Sequence, residues 1–415
     1  MRTLYIGKTW PEPASTAAGR RTLDILTTLQ QAGEVHIASA ANPTEYSLNF
    51  QDAGITAHQI QLNDDGFDAW LSALAPDCVV FERFMTEEQF GWRVSNVCPQ
   101  AMRVLDTSDL HCLRAAREQQ VKQADRHPDT APAEPDLFND MALRELAAIM
   151  RCDLTLMISS AETQLLETRF GVSSALLHTT SFMLTPLPDP EIWPGFTERQ
   201  HLILLGNFRH APNRDATRWL RERWPQWQGR FPAGTEVHVY GGYGDHAIQQ
   251  LHRPDIGFCV KGRADDALET LSRYRVNLAW LRFGAGIKGK IADAWLAGTP
   301  SVASPIAAEG MHGDLNWGST VSGDPEAWIS EVVRLYTSPD AWQVAVEQGR
   351  HIAAVCHPTA PQQQALLDRL ASIKANLAGH RHQHFWGRLL QQQQFRASEY
   401  FSRWITLKNR NDGQP

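Results

Sequence analysis

Apolar and polar positions along the chain follow two alternating rhythms. Short, nearly continuous apolar runs such as "TLYIG" at the start and "HLILL" ending at Leu205 read as strands buried on both faces, where no position tolerates water. Between such runs the apolar residues recur every three or four positions. In "AAGRRTLDILTTLQQAG", Leu23, Leu26 and Leu29 share a stripe and Gly33 stops the helix, after which "EVHIASA" begins a second strand. The pattern continues with "FDAWLSALAP" as helix, "DCVVFER", "AMRVLD" and "CDLTLMIS" as strands and "SAETQLLETRFG" as helix. This order is the βαβ unit of a parallel sheet.

The periodicity breaks in "TPLPDPEIWPGFTERQ", Thr185 to Gln200, where four prolines interrupt it, and this stretch is expected to link two domains. A second array then starts: "HLILLGNF", "NRDATRWLRERWPQW", "EVHVYGG", "IGFCVKG", "ADDALETLSRY" and "VNLAWLRFG" alternate strand and helix. Two such arrays predict an α/β protein of two doubly wound, Rossmann-like domains, with ligands in the cleft at the strand ends. The expected divisions are 1–190, 191–375 and a helical tail, 376–415, that returns at least in part to the first domain. "AREQQVKQADRHPDTAPAEPDLFND" reads as a helix end and a mobile loop.

A chain of 415 residues is long enough for two cores, and its 43% hydrophobic and 20% charged content is that of a globular protein. The net charge of −7 argues against nucleic acid as a partner. Six scattered cysteines form no CxxC pair, which points to a reducing cytoplasm and away from disulfides or zinc. No apolar run has the length of a signal peptide or membrane span.

The stretch richest in chemistry is "RFGAGIKGKIADAWLAGTPSVASP", Arg282 to Pro305. It has neither P-loop nor GxGxxG spacing. Its position after a strand nevertheless places Lys288 and Lys290 on the first turn of a helix, whose free amides already favour anions. Both effects point at a diphosphate. Asp293, three residues after Lys290, can accept hydrogen bonds from ribose or sugar hydroxyls, or form a solvated pair with Lys290.

"FGAGIKGKIADAWLAGTPSVASPIAAEGM" resembles the donor-site segment of retaining, family 4 (group 1) glycosyltransferases of the GT-B fold, including those of bacterial surface-polysaccharide synthesis. "LLGNFRHAPNRDATRWL" is similar to the first strand, loop and helix of that family's C-terminal domain, with Arg209 at the position of the diphosphate-binding arginine and Asn207 beside it. Val260, Lys261 and Gly262 fall at the base-contacting turn, and Gly284, Gly286 and Ile287 in the glycine-rich turn. The resemblance departs at three places. Ala285 and Asp293 occupy the positions of the family's paired glutamates, and Asn213 that of its usual lysine, so Lys288 or Lys290 must supply that charge.

In the first array, "RVLDTSDLHCLRAAREQQ" resembles an acceptor-side loop of the same family. The resemblance implies that His111 contacts the transferred sugar while Asp106 and Asp109 orient hydroxyls. A capped helix start, with Asp109 as N-cap, is the plainer reading. Gly19 and Arg20, after the long first loop, are expected beside the donor phosphates. Trp219, Trp224, Trp227, Trp295, Trp328 and Trp342 fall in helical patterns and read as packing residues, and "GHRHQHFWGR" lacks the ligands of a tetrahedral metal site. The tail "FWGRLLQQQQFRASEYFSRWITLKNR" is compatible with a helix packed on the first domain, a membrane-surface helix or a partner contact.

The implied activity is transfer of a sugar from a nucleotide-sugar donor to a glycan, lipid-linked or other hydroxyl acceptor, with no cofactor and no metal, in the cytoplasm or at the inner face of the membrane. Two rivals are a nucleotide-sugar epimerase on the same fold and a degenerate binding subunit, the latter favoured by the loss of a glutamate at Ala285.

Overall fold

The computed structural model describes residues 1–124 and 134–412; the expected mobile loop falls largely outside them, at 125–133. Seven parallel strands form the first sheet: β1 (Thr3–Gly7), β2 (Val35–Ser39), β3 (Thr56–Gln59), β4 (Cys78–Glu82), β5 (Met102–Asp106), β6 (Leu154–Met157) and β7 (Leu177–Thr179). Their order is β3-β2-β1-β4-β5-β6-β7. The second sheet holds β8 (Gln200–Leu205), β9 (Val237–Tyr240), β10 (Phe258–Gly262), β11 (Tyr274–Ala279) and β12 (Ser301–Ala303), ordered β10-β9-β8-β11-β12, again all parallel. In both sheets the winding reverses beside the first strand, between β1 and β4 and between β8 and β11. Loops diverge there and leave a crevice at the carboxyl ends of the strands.

The apolar runs are buried as the sequence requires. β1, β2, β4 and β5 are buried at every position, sandwiched between two helix layers. On one face, Ile25, Leu26 and Leu29 of helix Ala17–Gln30 pack with Tyr5, Ile37 and Val80. The second sheet is covered by a large cluster in which Trp219 stacks on Trp280 at 4.4 Å and Trp328 meets Trp280 edge-on at 5.3 Å. The six tryptophans read as packing residues are all buried.

The chain returns to the first domain earlier than the sequence division at 375. Leu366, Leu370 and Ile373 of helix Thr359–Ala375 join the cluster around Ile25 and Leu26, so this helix packs on the first sheet and not the second. Its three apolar residues recur at helical spacing, a pattern silent about which sheet they serve. The helices Leu377–Gln383 and Phe385–Asp412 continue over the same domain, where Arg381 holds Asp153 (2.7 and 2.8 Å) and Gln391 donates to the Arg151 carbonyl (3.0 Å). No described helix is long and apolar enough to cross a membrane.

Candidate active site

The two switch points face each other across a cleft of about 630 Å³. Three helices begin at it: Ala17–Gln30 from the first domain, Ala211–Trp227 and Gly289–Leu296 from the second. The last two have no side-chain cap, although in Ala211–Trp227 Pro212 carries no N–H and the Asn213 N–H is donated to the His210 carbonyl, so the free amides belong chiefly to Gly289–Leu296. Seven lining residues are basic (Arg20, Arg21, Arg83, Arg114, Arg263, Lys288 and Lys290) and three acidic (Glu45, Asp109 and Asp293), which makes the cleft a positive site in a chain of net charge −7.

The glycine-rich turn exists because the domains approach so closely there. A Cβ on Gly289 would lie 2.3 Å from that of Ala17, at the opposing helix start. Gly286 has φ +64° and would place a Cβ 3.0 Å from Asp109. Its N–H donates to Glu162 Oε1 at 2.5 Å, across the same seam. Further ties cross it: Arg117 is bidentate to Glu309 (2.7 and 2.8 Å) and donates to the Gly284 carbonyl (2.9 Å), while Tyr243 donates to Glu12 (3.1 Å).

Most of the cleft arginines are already paired. Arg20 binds Asp293, Arg114 binds Asp109, and Arg21 binds Asp106 at 2.9 Å. The lysines are different. The Lys290 ammonium donates to Asn213 Oδ1 at 2.7 Å, and that of Lys288 to the carbonyls of Gly286 and Ala285, so neither holds a carboxylate. Burial lowers the pKa of Lys290 to about 7, with Lys288 adding a like charge, and lowers that of Lys288 to about 8. Both lack an anion. Lys290 thereby stands at the tip of Asn213, the position where the resemblance expects a lysine.

The expected site residues divide by place. Arg20, Asp109, Asn207, Asn213, Gly262, Gly284, Gly286, Ile287, Lys288, Lys290 and Asp293 line the cleft. Gly19, Asp106, His111, Arg209, Val260 and Lys261 are not among its lining residues. Asp106 is fully buried and accepts from Arg21 Nε (2.9 Å) and Tyr5 (3.2 Å), which makes it a brace for Arg21. His111 turns to Glu145 (3.3 Å) and packs edge-on against Phe84, because its helix presents it to the core. Gly19 packs against the Glu12 backbone instead of a ligand. Arg209 is exposed and lies over the Tyr243 ring, 3.5 Å from its centroid, at the cleft margin.

Three cleft residues escaped the sequence reading. Arg83, Ser108 and Tyr243 have φ of +67°, +59° and +61°, half of the non-glycine residues with positive φ among those described, and all three line the cleft. Backbone strain of this kind, at about 1–3 kcal/mol each, persists where a side chain must be aimed. Arg83 directly follows β4, at the switch point of the first sheet. A cluster with metal-ligand chemistry, His201, Glu236 and His238, lies near the opposite ends of β8 and β9, away from the cleft, with His238 bridging Glu236 (2.6 Å) and Tyr274 (2.8 Å).

Residues 199–338 match the family model described as glycosyl transferases group 1. Over these residues the second domain is similar to the group 1 glycosyltransferases. That match spans β8 to β12, so it contains the glycine-rich turn, Lys288 and Lys290. Solved structures share the fold over nearly the whole chain. Anabaena HepE in complex with UDP-glucose is 14% identical, with TM-score 0.66 over 89% of this chain and 99% of that one. A glycosyltransferase from Rickettsia africae ESF-5 is 10% identical, with TM-score 0.65 over 90% and 99%. WaaG, a glycosyltransferase involved in lipopolysaccharide biosynthesis, is 14% identical, with TM-score 0.56 over 88% and 98%. These likenesses establish the GT-B fold, two Rossmann-like domains around a cleft into which the second domain projects its lysines. No curated protein matches the sequence.

Proposed function

We propose that the protein is a glycosyltransferase that moves a sugar from a nucleotide-sugar donor to a hydroxyl acceptor held in the interdomain cleft. The observation that carries this reading is the pair Lys288, buried, and Lys290, half-buried, neither in a salt bridge with a carboxylate, at the start of a helix with no side-chain cap. As the glycosidic bond breaks, charge builds on the diphosphate leaving group. Fixed ammonium groups and amides stabilise that charge more than the ground state. The donor diphosphate lies at this end of the cleft, and Asp293, tied to Arg20, is placed for a ribose or sugar hydroxyl. The acceptor, a glycan or lipid-linked hydroxyl, enters from the side of Arg83, Asp109 and Arg114. Lysine, arginine and helix amides supply the positive charge in this scheme, with retention of anomeric configuration. The group 1 match and the neighbour solved with UDP-glucose support a nucleotide-sugar donor.

The test is a panel of nucleotide sugars assayed for transfer and slow hydrolysis, with the product anomer read by NMR. Lys288→Ala is expected to lower turnover by about two to three orders of magnitude, the loss seen when one preorganised donor is removed. Nucleotide binding without transfer or hydrolysis of any donor would contradict the reading and support a binding subunit.

A further inference from the structure

The C-terminal helices close over the first domain and leave a second cavity, of about 210 Å³, remote in sequence from the second domain. Its charges do not balance. Arg103, Arg151, Arg381 and Arg388 line it, and Asp153 is the one acidic residue among its lining. Arg151 is satisfied by a bidentate pair with Glu87. Asp153 is shared: Arg381 binds both its oxygens at 2.7 and 2.8 Å, and Arg103 Nε stands 3.9 Å away. Three guanidinium groups, those of Arg103, Arg381 and Arg388, therefore face one carboxylate.

Hydrogen bonding leaves the same deficit. Arg103 is 5% exposed; its Nη1 donates to Ser95 Oγ at 3.0 Å, but its Nε has no hydrogen-bond partner, and His384 Nε2 is buried with none. Arg388, four positions after His384, is exposed at the rim and has no side-chain partner among the described residues. Buried donors are rarely left unmade, because each costs about 1–3 kcal/mol. Burial holds the Arg103 pKa below its usual value; Asp153 opposes the shift and the neighbouring Arg381 charge adds to it. Such a cavity asks for a compact anion with several acceptor oxygens.

We propose that this cavity binds a phosphate group, with the guanidinium groups of Arg103 and Arg388 and the Nε2 of His384 donating to its oxygens. The phosphate comes either from a soluble compound or from a lipid headgroup. Phe385 and Trp386, 62% and 67% exposed, follow His384 directly and would lie at a lipid surface in the second case.

The test uses the full chain carrying Lys288→Ala and Lys290→Ala, so that the interdomain cleft contributes little, with and without Arg388→Glu. Inorganic phosphate is titrated calorimetrically, and sedimentation is followed with vesicles of phosphatidylcholine alone or mixed with phosphatidic acid. Arg388 is exposed, so its variant is expected to fold; His384→Ala repeats the test by a second route. Phosphate binding weakened about tenfold or more by Arg388→Glu supports a soluble source. Vesicle binding that requires both phosphatidic acid and Arg388 supports a headgroup. Phosphate affinity indifferent to Arg388 and His384, or no binding of either probe, overturns the proposal. Neither result depends on sugar transfer, so failure here and failure of the proposed activity are separable.

Discussion

Lys290 shows how a side chain's value depends on what is absent around it. Half-buried beside Lys288 and held by an amide oxygen, it has its pKa lowered to about 7, so near neutral pH only part of the population carries the charge. A diphosphate favours the ammonium form and raises that pKa, which means binding takes up a proton when the free protein is deprotonated. Affinity for a nucleotide sugar is therefore expected to be highest below about pH 7 and to fall as pH rises towards about 8.5. Calorimetry across that range checks it, and Lys290→Met is expected to leave only the later fall that belongs to Lys288, whose pKa is about 8. The same residue was visible in sequence as a lysine on a helix start; its bond to Asn213 was not, because 77 positions separate the two. His111 and Arg209 show the converse. Residue type marked them as chemical, but side-chain direction, set by packing against Phe84 and Tyr243, takes them out of the cleft lining.

Secondary elements were legible in proportion to their burial. β1, β2, β4 and β5 announce themselves as apolar runs because both faces are covered. β3, "TAHQ", is an exposed edge strand with no apolar rhythm, and β7 has three residues; neither carries a signal. Helix Arg83–Val97 starts directly from β4 through a residue at φ +67°, without a side-chain cap, so no boundary shows. The glycine-rich turn could be seen, though its reason, contact between helix starts of two domains, could not. That contact makes a prediction. Gly289→Ala would press a methyl group into Ala17 and hold the domains apart, while the helix itself gains propensity. Turnover is expected to fall about a hundredfold, the cost of misplacing reacting groups by roughly 1 Å, with the thermal midpoint near that of the wild type. Paired kinetic and melting measurements check both halves.

Across the whole molecule, the C-terminal end of the chain is tied back to the first domain. Helix Thr359–Ala375 and the helices after it lock onto the first domain, and Arg381 carries much of the last contact through Asp153, Ala101 and Pro99. Arg381→Ala leaves Asp153 buried with Arg103 alone, and is expected to destabilise the fold by about 2–3 kcal/mol in denaturant titration. The sequence division at 375 missed this return because amphipathic spacing shows that a helix packs but not on what.

The central claim concerns charge distribution at this largest scale: a chain of net −7 concentrates unpaired ammonium groups where two domains and two uncapped helices meet. The most direct measurement is calorimetric titration of a nucleoside diphosphate into the wild type and into the Lys288→Ala/Lys290→Ala variant at fixed salt. The account predicts saturable binding to the wild type and an affinity about a hundredfold or more weaker in the variant. Equal affinity in the two proteins would contradict it.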